Sequence, residues 1–194
     1  MTRELVSSHT PKEEKTMKTE LKDRFVIAGT GSRELILDIE KRRKVRDYLV
    51  NLLTQAKAKH GDKLIVISGM AEGYDEALAR AAVQAGVPFI AAIPNPSYLN
   101  YYWGKNSLLK TNRSAAASEL VSQAVEVVNV CPTHVGIKHS FAGGANFDRN
   151  DWMADRANIV WVYNPTTKGT KQCYEYCQKN NIKTFIINTE KEGK

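Results

Sequence analysis

The sequence predicts an α/β chain: a doubly wound, mainly parallel sheet of about six strands with helices on both faces. Three observations carry that expectation. Short β-branched or apolar runs alternate with longer stretches of helical periodicity across residues 24–187. Two of the runs, residues 64–67 and 159–163, are apolar throughout, as strands buried on both faces are. Glycine-bearing turns follow several strands, at Gly31, Gly69, Gly73 and Gly169, where connections from strand to helix make tight corners.

Taken in order, residues 1–22 are rich in Lys, Glu, Thr and Ser with almost nothing to bury. They are expected to form a flexible tail ahead of a single domain over 23–190. Residues 24–28 read as the first strand, with Gly29-Thr30-Gly31-Ser32-Arg33 as its exit turn. A long helix follows over about 37–59, with Val45, Leu49, Leu52, Leu53 and Ala56 at helical spacing. The second strand, 64–68, leads through Gly69-Met70-Ala71-Glu72-Gly73 into an Ala-rich helix ending near Gln84. Asp75 stands at the start of that helix, where a carboxylate caps free N–H groups.

Residues 87–93 make a third strand. The aromatic segment after it (Tyr98, Tyr101, Tyr102, Trp103) is either a lid that stacks on a base or a packed surface loop. A helix over 112–124, a strand over 125–131 and a loop over 132–146 follow. The loop's His134 and His139 have no Cys, Asp or Glu at ligand spacing, so no metal site is expected. The next helix is expected to begin at Phe147-Asp148. Asp148 would be its cap, with Arg149 and Asn150 in the first turn, facing whatever lies beyond. Residues 159–163 are strand five, Gly169-Thr170 opens the last helix, and 182–187 is strand six.

Bulk properties narrow the function. No apolar run approaches the about 18 residues that cross a bilayer, and the N-terminus has no secretory h-region. Three cysteines without CxxC spacing suit a reducing cytoplasm. The formal charge of +7 gathers in Lys41-Arg42-Arg43-Lys44 and Arg46, either a solvated helix face or a surface for an anionic partner.

In a parallel sheet every strand-to-helix turn lands on one edge, which is where open α/β sheets bind ligands. Thr30-Gly31-Ser32-Arg33, Gly69 to Asp75, Arg149-Asn150 and Gly169-Thr170 therefore converge. Backbone N–H groups, hydroxyls and guanidinium groups together suit a phosphate.

The order TGSR, SGMAEGYDEALARAA, FDRNDWMADRANIVWVY and KGT resembles the SLOG superfamily of Rossmann-like proteins over residues 24–188. The YpsA group looks nearest, with the YspA group a neighbour. That superfamily also holds the LOG phosphoribohydrolases and the DNA-processing protein DprA. The resemblance implies a nucleotide or nucleotide-derived ligand, related to NAD or ADP-ribose, with no further cofactor required. By position, Gly69 and Gly73 would form the backbone cradle with Met70 between them, and Asp75 would hold the turn. Arg149 and Asn150 would reach the ligand, while Gly169 and Thr170 would receive phosphate. The hydrolase branch carries PGGxGTxxE, and here Cys173 stands where its catalytic Glu belongs. Glu175 lies about 200° further round the helix and does not replace it.

Three functions stay open at the level of sequence. The first is a nucleotide-binding sensor or regulator without chemistry of its own. The second is an N-glycoside hydrolase acting on a nucleoside monophosphate, with Glu72 and Arg149 as the candidate catalytic pair. The third, least favoured, is single-strand DNA binding like that of DprA. The expected partner is a small-molecule nucleotide, with no membrane. Homo-oligomer formation is expected by analogy with relatives.

Overall fold

The computed structural model describes residues 21–131 and 144–189. Six strands form one all-parallel sheet: β1 (Phe25–Gly31), β2 (Leu64–Ser68), β3 (Phe89–Ile93), β4 (Glu126–Asn129), β5 (Ile159–Tyr163) and β6 (Thr184–Ile187). Their spatial order is β4-β3-β2-β1-β5-β6, so the chain winds outward from β1 one way and then returns to β1's other side. Five α-helices accompany them among the described residues: α1 (Ile39–His60), α2 (Tyr74–Gln84), α3 (Ser114–Val121), α4 (Gly144–Ala154) and α5 (Lys168–Lys179). The doubly wound expectation holds.

Side chains along each strand alternate between two cores, the period-2 rule for a sheet covered on both faces. Ile27, Leu64, Val66, Phe89, Ala91, Ile93, Trp161 and Tyr163 face a core shared with Val45, Leu49 and Leu53 of α1 and Leu78, Ala81 and Ala82 of α2. Val26, Ala28, Ile65, Ile67, Ile90, Ala92, Val160 and Val162 face the other, closed by Trp152 and Met153 of α4 and Cys173 and Cys177 of α5. The alanines of α2 let that helix lie against the sheet with almost no surface left exposed.

The central strand is bounded by two distant parts of the chain. β1 pairs with β2 from Phe25↔Leu64 to Gly29↔Ser68, and with β5 from Ile27↔Ile159 to Gly31↔Tyr163. Asn158 extends this second seam: its Oδ1 accepts the Val26 N–H at 2.7 Å.

Several boundaries differ from the sequence expectation, each for a local reason. β1 runs on through Thr30 and Gly31 because β5 offers partners for both. The first long helix is delayed by a 3₁₀ turn, Arg33–Leu37, and starts only where Asp38 Oδ1 accepts the Lys41 N–H at 2.8 Å. α4 begins at Gly144, not at Phe147, so Asp148 is not its cap and Arg149 and Asn150 lie beyond the first turn. Asp148 instead accepts the Cys131 thiol at 3.8 Å. The aromatic segment contains a π-helical turn, Asn100–Lys105, anchored by the Trp103 indole donating to the Met70 carbonyl at 2.8 Å.

The expected tail falls outside the described residues up to residue 20; Leu21 begins a short 3₁₀ turn and packs against the second core. His134 and His139 also lie outside them. Among the described residues there is no cluster suited to a metal ion and no helix long and apolar enough to cross a membrane. All three cysteines are free.

Candidate functional site

Strand order reverses between β1 and β5, and at such a switch point the connections on either side part to leave a crevice. A cavity of about 430 Å³ opens there. Its floor and walls come from Thr30 to Glu34 after β1, Ala71 and Asp75 around the start of α2, Asn146, Phe147, Arg149 and Asn150 on α4, and Thr167 to Thr170 at the start of α5. Tyr98, Tyr102 and Leu108 supply an apolar side.

Of the residues singled out from sequence, Thr30, Gly31, Ser32, Arg33, Asp75, Arg149, Asn150, Gly169 and Thr170 line this cavity. Gly69, Met70, Gly73 and Glu72 do not. Gly69 lies behind Arg149, whose guanidinium fills the space a Cβ would need and donates to the Gly69 carbonyl. Met70 is fully buried, its carbonyl taken by Trp103. Gly73 adopts φ 87°, and a Cβ there would stand 2.6 Å from the Arg33 carbonyl oxygen and 2.7 Å from that of Ser32. Its lack of a side chain serves the packing of two backbone segments, not a phosphate.

Glu72 is fully buried beneath the segment after β3. Its carboxylate accepts the Ser107 hydroxyl at 2.7 Å, the Leu108 N–H at 3.0 Å, Arg113 Nη1 at 3.0 Å and Arg33 Nη2 at 3.3 Å. Every lone-pair direction of this group is engaged in holding the wall of the cavity.

Beside Arg33, Glu34 and Lys168 in the lining, three groups set the cavity's electrostatics. Arg149, 5% exposed, is held by Gly69 and lies 3.6 Å from Asp75 Oδ2, while its Nε has no hydrogen-bond partner among the described residues. Asp75 does not cap α2; its carboxylate lies beside the backbone N–H groups of Ala71 and Gly31, near the end of β1. Burial pushes its carboxyl up to about 6, against the lowering pull of Arg149, those two N–H groups and Arg33. The third group is the start of α5, whose N-cap Thr167 makes no side-chain cap bond. Its hydroxyl sits 2.9 Å from that of Thr170. The first amides of α5 therefore face the crevice without a side-chain acceptor, with the positive end of the helix dipole behind them.

Asn150 Nδ2 donates to the Gly169 carbonyl and to Gln172 Oε1, both at 3.3 Å, which fixes the α5 corner to α4. A Cβ at Gly169 would meet nothing within 4 Å, because that side is open space. At the position of the missing glutamate, Cys173 points into the second core at 2% exposure. A hydrogen bond to Cys177, together with burial, pushes its thiol up.

Sequence reasoning placed Ala71 only within the Gly69 to Asp75 turn and missed Glu34, Leu108, Asn146, Phe147, Thr167 and Lys168. The signal for Asn146 was present: 146, 149 and 150 share one helical face once the helix is allowed to begin at Gly144. Tyr98 and Tyr102 line the cavity, but Tyr98 is buried in the core with Trp103 and shows the cavity only an edge, so the aromatic segment is part wall and part core.

No family model matches the chain, and no curated protein matches it. Solved structures share its fold, among them two of DNA processing protein A. DNA processing protein A (DprA) from Streptococcus pneumoniae aligns with a TM-score of 0.59 at 19% identity, over 90% of this chain and 54% of that one. DprA from Helicobacter pylori, described with a unique single-stranded DNA binding mode, aligns with a TM-score of 0.58 at 16% identity, over 90% of this chain and 70% of that one. This chain thus spans about half the length of the first and somewhat more of the second. Over that span the two DprA structures share the α/β fold described above.

Proposed function

We propose that this chain is a nucleotide-binding module of the SLOG superfamily, allied to its YpsA branch, acting as a sensor or regulator. The observation that carries the reading is one cavity uniting the uncapped start of α5, the buried Arg149 and the tyrosines 98 and 102. Free amides and a guanidinium suit a phosphate, and aromatic faces suit a base. The hydrolase alternative loses both of its expected carboxylates, since Cys173 replaces one and Glu72 is engaged in the wall. It keeps one supporting feature. Asp75 lines the cavity with a carboxyl raised to about 6, near the range useful for proton transfer.

Calorimetric titration with AMP, ADP-ribose, NAD and adenosine tests the proposal. AMP or ADP-ribose is expected to bind at least about tenfold more tightly than adenosine, because the phosphate carries the charge-assisted contacts. Lys168→Ala is expected to weaken the phosphorylated ligands alone. Failure of all four to bind at millimolar concentration overturns the reading. Release of free base during the same incubations, lost in Asp75→Asn, would move the assignment to the hydrolase. The likeness to DprA supports a second reading, a nucleic-acid ligand, which predicts tight oligonucleotide binding that falls steeply with salt while AMP fails to compete.

A further inference from the structure

A second concave site lies away from the sheet edge, between α1 and α2. It encloses about 430 Å³ and is lined by Arg42, Arg43 and Arg46 of α1, Arg80 of α2 and Arg113 before α3, with Glu76 the one carboxylate in its wall. On α1 the lining positions 39, 42, 43 and 46 follow the i, i+3, i+4, i+7 spacing of a buried stripe. Further along the helix the inward positions 49 and 53 are leucines in the core. At the N-terminal half Val45 continues the core, and the guanidinium groups of positions 42, 43 and 46 flank it beside a groove.

The charges in this groove are not balanced from within. Glu76 is claimed by two arginines: Arg113 Nη2 at 2.7 Å and Nη1 at 3.1 Å, and Arg80 Nε at 3.0 Å. The partners of Arg43 and Arg46 are Glu40 at 2.8 Å and Asp47 at 3.2 Å, both well exposed on the outer side of α1, where such pairs hold little. Arg46 Nε is buried without a hydrogen-bond partner, and the Arg42 guanidinium makes no hydrogen bond or ion pair among the described residues. Like charges held this close repel one another, and planar forked donors match the oxygen spacing of phosphate.

We infer that the groove between α1 and α2 is a second anion site, separate from the one at the sheet edge, taking a group with several linked phosphates. Such a group bridges Arg42 and Arg46 on one wall and Arg80 on the other. Arg113 belongs to the groove and also holds Glu72, so occupancy here reaches the wall of the first cavity through one side chain.

The test follows arginine Nε–Hε and backbone signals of the full ¹⁵N-labelled chain during titration with inorganic tripolyphosphate. Arg42 and Arg46 side-chain signals are expected to move, and the double variant Arg42→Ala/Arg46→Ala to bind at that groove at least about tenfold more weakly. Arg42→Lys/Arg46→Lys, which keeps the charge and loses the fork, is expected to fall between them. A single-stranded oligonucleotide forms the second arm. Movement of the same signals by the oligonucleotide at lower phosphate concentration assigns the phosphates to a nucleic-acid backbone; movement by tripolyphosphate alone assigns them to a small ligand. Unmoved Arg42 and Arg46 signals while the Gly169 and Thr170 amides shift would overturn the second site and leave the first standing. Unchanged affinity at the groove in the double alanine variant overturns it equally.

Discussion

Gly73 shows how a residue can be required for a site without touching its contents. Its φ of 87° and the two carbonyl oxygens within 2.7 Å of a would-be Cβ leave no room for a side chain. Gly73→Val is therefore expected to destabilise the fold by about 2–4 kcal/mol, read as a lower urea midpoint, and not merely to block a ligand. Asp75 predicts a pH effect. Its carboxyl titrates near 3.8 when unfolded and near 6 when folded, so the native state holds the proton more tightly. The resulting penalty is absent below the lower value, grows as pH rises and is complete above the higher one. Stability should fall between these limits by on the order of 3 kcal/mol from this group, offset by other titrations. Denaturation curves of Asp75→Asn compared with the parent between pH 4 and 7 isolate the effect: the variant should lack that share of the slope.

At the scale of elements, the wall made by residues 98–113 is held by Glu72 as well as by the packing of Tyr98 and Trp103 in the core. Glu72→Ala removes the shared acceptor of Ser107, Leu108, Arg33 and Arg113. The expected cost is about 2–4 kcal/mol, below that of breaking a fully buried pair because Arg33 retains water access and Arg113 keeps Glu76. Thermal unfolding reads it directly. Strands and helices were legible in the sequence wherever one period ran unbroken, as in β5 and α2. The ends were not: Gly143-Gly144 looks like a loop, yet Gly144 opens α4, and Thr30-Gly31 looks like a turn until β5 pairs with it. Glu72 was misplaced for a related reason. Its partners lie 35 to 41 residues along the chain, beyond the reach of any local pattern, apart from Arg33 on the other side.

For the whole molecule, winding order decided which turns would meet. Gly31, Arg149 and Gly169 come together at the switch point, as parallel topology requires, while Gly73 shares their edge but lies behind the cavity. The same winding makes β1 depend on sequence far away. A chain ending at residue 157 would lose β5, β6 and the Asn158 acceptor of the Val26 N–H. It is expected to show a broad, non-cooperative urea transition in place of the single sharp one of the intact chain.

The seam between β1 and β5 joins positions up to 132 residues apart. On the ribosome, therefore, the heart of the sheet waits with one flank bare until the segment carrying β5, 132 residues further along, has emerged. An apolar strand in that condition invites pairing with a neighbouring nascent chain, and shielding by a chaperone during that interval would matter more to the yield of this protein than the stability of the finished molecule.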